Sequence, residues 1–102
     1  MIEGPDLQYA LHVIPPGRVA FHRWRWELWH GQSLLATGWR TSERHAVRAL
    51  RTAASHFAHR VLGLHPLRPE QAALTGDVRV GAVARLNCGQ ITCRLVPRVS
   101  AP

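Results

Sequence analysis

Seven histidines, two cysteines and six carboxylates are the side chains of this 102-residue chain that could carry a reaction or hold a metal. Cys88 and Cys93, spaced Cys-x4-Cys, form a mixed zinc donor set by type with His56, His59 or His65. The spacing leaves that set incomplete. Cys88 falls in a turn sequence, Cys93 on an apolar strand face and the histidines on a separate element, so Cys93 reads as a small buried hydrophobe. For acid–base chemistry, Glu27, Glu43 and Asp77 are the candidate partners for a histidine. No Ser-His-Asp arrangement, phosphate-cradling glycine loop or metalloprotease helix motif accompanies them. His56 and His59, three apart on one helix, read as an exposed flank. The sequence therefore predicts no catalytic residue, no metal and no cofactor.

Arginine and tryptophan are the more informative residues. Basic residues number 13 against 6 acidic, a formal charge of +7, and every one of them is arginine. A GC-rich coding bias accounts for arginine in place of lysine, but not for the scarcity of acids. The guanidinium fork donates paired hydrogen bonds to phosphate oxygens, so the excess points toward nucleic acid. Four tryptophans, Trp24, Trp26, Trp29 and Trp39, either stack on bases or fill a core.

The elements that must position these residues follow from periodicity. Leu7, Tyr9, Leu11 and Val13 alternate with polar or small residues, the pattern of a half-buried strand that Pro15-Pro16-Gly17 ends. A second strand, about 19–30, carries Trp24, Trp26 and Leu28 on one face and Arg23, Arg25 and Glu27 on the other. Gly31-Gln32 turns the chain into a third, about 33–40, with Leu35, Thr37 and Trp39 expected on the tryptophan side. Thr41-Ser42-Glu43 opens a helix that runs uninterrupted to about Leu62 and stops at Gly63. Its expected apolar stripe is Ala46, Leu50, Ala53, Phe57 and Val61, with Arg44, Arg48, Arg51 and Ser55 on a solvent flank. A loop with a short helical turn at 69–74 follows. Alternation then resumes at 78–86 and, after the turn at 87–90, continues through Ile91, Cys93 and Leu95. The expected fold is α+β: one domain over 1–102, ordered β-β-β-α-β-β, with an antiparallel sheet on one long helix. Residues 1–6 and 97–102 are expected to fray.

If the apolar strand faces cover the helix, the opposite face carries Arg23, Arg25 and Arg40. Arg79, Arg85 and Arg94 extend it if the last hairpin joins the same sheet. Such a face can enter a major groove or lie along phosphates, although solvated arginine is also the ordinary content of outward strand positions. Trp24 and Trp26 read as core. Trp29 falls on the arginine side with Phe21, as a contact residue or as part of a homodimer interface.

Residues 23–58 resemble the β-β-β-α arm-site DNA-binding domains of phage and transposon tyrosine recombinases. The resemblance rests on Trp24-Arg25-Trp26, the Gly31 turn, Gly38-Trp39, and Thr41-Ser42-Glu43 with Ala46 entering the helix. It implies that Trp39 packs under the helix and that Arg23, Arg25 and Arg40 contact DNA. No recombinase catalytic domain follows, the sheet lacks lysine, and a further hairpin is appended.

The resulting expectation is a small basic nucleic-acid-binding protein, more specifically DNA-binding and bacterial or phage-like. Its partners would be nucleic acid and, in the alternative, a second copy meeting it at Phe21 and Trp29 in an interaction module. With no signal peptide and no apolar run of membrane-spanning length, a cytoplasmic location is the default expectation.

Overall fold

The computed structural model describes residues 2–18, 21–64, 76–88 and 91–98, with Cys88 described by its backbone alone. Five strands and one helix follow in the order β1 (Ile2–Ile14), β2 (Arg23–His30), β3 (Ser33–Arg40), α1 (Glu43–Val61), β4 (Ala84–Cys88) and β5 (Ile91–Pro97). They make an α+β architecture, one mixed, mostly antiparallel sheet of order β3-β2-β1-β5-β4 with α1 packed on one face. No helix among the described residues is long and apolar enough to cross a membrane.

The central strand is β1, antiparallel to β2 and parallel to β5. This parallel pairing departs from the all-antiparallel expectation. It also accounts for the ends: Ile2 pairs with Ile91 and Glu3 with Thr92, so residues 2–6 are strand and not frayed. A register shift between Glu3 and Asp6 accommodates Gly4 and Pro5. Pro5 has no amide hydrogen for a ladder, and a bulge is where a central strand tolerates that. At the other end Pro97 belongs to β5, and the Arg98 amide donates to the Tyr9 carbonyl at 2.7 Å. Residues 99–102 lie outside the described residues, as do the expected helical turn at 69–74 and positions 19–20 of the second strand.

Helix α1 begins where its capping residue says it should. The Ser42 hydroxyl accepts from the His45 amide, Glu43 sits at the positive end of the dipole, and Gly63 follows the C-terminus at φ 73°. Its buried stripe, however, is Ala46, Leu50, Ala54, Ser55, Ala58 and His59. Ala53 and Phe57 are half-buried at its flank, and Val61 is exposed. The stripe is rotated because β5 and β4 widen the sheet beyond the three strands to which the pattern was referred. His59 is therefore buried, not part of an exposed flank. Its Nδ1 bonds the Ser55 carbonyl at 2.7 Å and its Nε2 has no acceptor or donor beside it.

The strand expected at 78–86 begins only at Ala84. Arg79, Val80, Gly81 and Ala82 form a turn closed by the Ala82 amide on the Arg79 carbonyl at 3.0 Å, with Gly81 at φ 82° in the third position. The Tyr9 hydroxyl pins this turn from the core, 2.7 Å from the Arg79 carbonyl and 2.6 Å from that of Ala82. Val80 and Ala82 are consequently exposed, while Val78 is buried against α1.

Candidate nucleic-acid interface

The sheet has one face under α1 and one that no described element covers. On β2 the alternation holds as expected, with Trp26 and Leu28 buried beneath the helix and Arg23, Arg25, Glu27 and Trp29 on the open face. On β3 it does not. Leu28 pairs with Ala36 but Trp29 pairs with Leu34, so Leu35 is an extra residue in β3. A one-residue bulge reverses the facing of everything beyond it. Leu35 and Ala36 both pack on the helix side, and Trp39, paired with Arg25, lies on the open face with 48% of its surface exposed. Trp39 is thus not core, contrary to both the alternation and the resemblance. The same shift carries Arg40 to the helix side, where it pairs with Trp24 and lines a groove with His45 and Arg48.

Of the six arginines expected on the outer face, four are there. Arg23 and Arg25 stand on β2, Arg94 on β5 and Arg85 opposite it on β4. Arg40 is excluded by the bulge. Arg79 sits in the turn held by Tyr9, on the helix side. The four also fall into two groups. Arg25 pairs with His12 of β1 and Arg94 with Asp6, six positions along the same strand. At about 3.3 Å per residue the two groups are roughly 20 Å apart along β1.

The first group is organised by aromatic rings. The Arg23 guanidinium lies 5.7 Å from the centre of the Trp39 ring, a cation–π distance. Arg25 Nε donates to Glu27 Oε2 at 3.0 Å, and Trp29 Nε1 donates to Glu27 Oε1 at 3.1 Å. Arg98 covers the Trp29 ring at 3.9 Å and donates to the Gly31 carbonyl at 2.8 Å. Trp29 therefore already has a cover from its own chain, while Phe21 stands exposed in the bend before β2. Nothing in the sequence pattern identified Arg98, because its stacking depends on β5 running parallel beside β1.

Burial pushes the Glu27 carboxyl up. The hydrogen bonds from Trp29 and Arg25, then the charges of Arg25 and His12, outweigh that push and hold it below its ordinary value of 4.5. A lowered folded pKa means that the unfolded chain takes up this proton first on acidification. The stabilisation is fully present above about pH 4.5 and is lost as pH falls through the folded value. Glu27→Gln is expected to flatten the dependence of unfolding midpoint on pH below 4.5, as read by thermal melts across that range. An unchanged acid limb would count against the Glu27 contacts.

The second group is simpler. Arg85 and Arg94 face each other as direct partners across β4 and β5, both exposed. Neither makes an ion pair with a described residue. Like charges directly opposed on a sheet cost stability, roughly 0.2–1 kcal/mol. Asp6, the β1 register partner of Arg94, lies beside the pair without forming an ion pair with it.

Among the described residues no three histidine, cysteine or carboxylate side chains group to hold a metal. Cys93 is buried, with Leu86 as its β4 register partner. His65 lies outside the described residues.

The chain matches no protein-family model, no curated protein and no solved structure.

Proposed function

We propose that this protein binds nucleic acid, as a single strand, on the open face of its sheet. The observation that carries this reading is the composition of that face. An exposed Trp39 lies beside the Arg23 guanidinium, and Arg85 and Arg94 stand opposed, neither of them in an ion pair with a described residue. The net charge of +7 adds a long-range attraction for phosphate. An aromatic face accepts any base, and free guanidinium groups along the path of a strand meet its phosphates.

Breadth favours a single strand over a duplex. A sheet face that reads a duplex directly must enter a major groove about 12 Å wide. Here β5 and β4 continue the sheet beyond β1. Five strands at about 4.8 Å spacing measure roughly 19 Å between the outer strand axes, too broad to enter that groove face-on. A flexible single strand can instead cross the face from Trp39 toward Arg94.

The test is an anisotropy titration with a labelled twelve-nucleotide oligothymidylate and a duplex of equal length, each at two salt concentrations. Affinity for the single strand should fall with salt at a log–log slope of about −2 to −3, from three or four phosphates at ~0.7 each. Trp39→Ala should weaken binding roughly tenfold, within the ~1–3 kcal/mol of one base stack. Arg85→Glu with Arg94→Glu should weaken it further and flatten the salt slope. Salt-independent binding, equal affinity for the duplex, or indifference to both substitutions would reject the reading.

A further inference from the structure

The other unpartnered feature lies on the opposite side of β3. This strand is one edge of the sheet, so the outward backbone groups of residues 36–40, beyond the bulge at Leu35, have no ladder partner among the described residues, although the Trp39 carbonyl accepts from Arg40 Nη1 at 2.8 Å. That stretch has no proline and no lysine, two of the usual devices that blunt an edge. Alongside it, β3 meets α1 only in part. They leave a groove of about 580 Å³ over Trp26, Ala49 and Ala53, and a second of about 250 Å³ over Leu28, Leu35 and Phe57, with Ala53 lining both. The floor is apolar and the charged rim is basic. Arg40, His45 and Arg48 stand at one end, His56 and Arg60 at the other, and neither groove is lined by a carboxylate.

We infer that this edge binds an extended acidic peptide, which adds to β3 as a sixth strand. An edge strand supplies main-chain hydrogen bonds to such a peptide, and flanking grooves select alternate side chains. Ala36, on the helix side of the free stretch, is small and leaves room for an apolar peptide side chain against Ala53 and Phe57. Acidic residues at the two ends of the peptide would meet the two basic clusters.

A second copy of the chain suits the site poorly. Two-fold pairing of β3 with itself sets α1 antiparallel to its copy, which brings His45 and Arg48 toward His56 and Arg60 of the other chain. That juxtaposes like charges without a carboxylate between them. Nucleic acid is disfavoured by the floor, because Trp26 is 7% exposed and packed over Gly38, which leaves little ring surface for stacking.

The probe is a fluorescent nine-residue peptide with two glutamates at each end and alternating threonine and valine between them, titrated against the full chain. Saturable binding is expected. It should weaken at least tenfold when the glutamates are replaced by lysines, and equally in the double variant Arg40→Glu with Arg60→Glu. Hydrogen exchange at the amides of residues 36–40 should slow on binding. The same variant should lose far less affinity for oligothymidylate than Arg85→Glu with Arg94→Glu, which changes the net charge equally but on the open face, so failure here is distinguishable from failure of the nucleic-acid reading. Absent saturation, equal affinity for the lysine peptide, or unaltered exchange in β3 overturns the inference. So does a free protein whose β3 edge amides are already protected in a dimer.

Discussion

Gly76→Ala is expected to destabilise the protein by about 3 kcal/mol, a large share of the total stability of a domain this size. Two independent costs combine. Gly76 has φ 134°, a conformation L-residues rarely adopt, and such strain costs about 1–3 kcal/mol. A Cβ built there would also collide with the Arg85 carbonyl oxygen and press on the Leu86 side chain at 3.1 Å. The first of these is backbone in β4 and cannot rotate away, so overpacking adds roughly 1–3 kcal/mol. Gly76 also holds the loop to the helix, its carbonyl accepting from Arg51 Nη1 at 2.9 Å. The control is Gly17→Ala, where a Cβ would meet nothing within 4 Å. Urea unfolding should place the Gly76 variant far below wild type and the Gly17 variant within about 0.5 kcal/mol of it. Equal midpoints for the two would refute the close approach of Gly76 to β4.

Trp26→Ala should cost about 4 kcal/mol, in the range of large aromatic deletions from a core. Trp26 is 7% exposed, sits in the layer between β2 and α1, and forms the floor of the groove beside β3. Its ring occupies the space a side chain would need at Gly38, where a Cβ would lie 3.0 Å from Nε1 and 3.1 Å from two ring carbons. Gly38→Ala is therefore expected to cost about 1 kcal/mol in the native background. In the Trp26→Ala background that cost should vanish, because the obstructing ring is gone. The coupling of about 1 kcal/mol is read from a double-mutant cycle in denaturant. Additive effects would mean that the ring does not rest on Gly38. Neither substitution touches the open sheet face, so a folded Gly38→Ala variant should retain wild-type affinity for oligothymidylate.

Much of the fold was legible wherever one local rule was sufficient. The Trp24-Arg25-Trp26-Glu27-Leu28 alternation identified β2 and its two faces, because successive strand side chains must point oppositely. Ser42 and Gly63 marked the ends of α1 through capping chemistry that depends on a few neighbouring residues. The reading failed where non-local pairing decided the outcome. Trp39 was assigned inward by parity, and a single extra residue at Leu35 sent it outward. Val80 and Ala82 fitted a strand pattern until Tyr9, about seventy positions away in the chain, fastened their turn to the core. His59 fitted an exposed flank until β5 and β4 widened the surface that α1 covers.

The candidate site divides in the same way. Arg23 and Arg25 were legible as outward residues, since the apolar demand of Trp24, Trp26 and Leu28 leaves them no other side. Arg85 and Arg94 were legible as outward, but their direct opposition required the β4–β5 register. Arg98 over Trp29 was not legible, because it depends on the parallel placement of β5 beside β1.

By itself, then, the sequence determined a β-β-β-α unit, its helix ends, the buried faces of β2 and of the return strand, and a basic surface made wholly of arginine. These follow from periodicity, capping and charge, which act within a few residues. The tertiary structure alone decided the parallel insertion of β5, the exposure of Trp39 beside Arg23, and the removal of Arg40 to a basic groove at the β3 edge. Those outcomes are set by strand register, and register is a property of two segments meeting, which neither segment encodes alone.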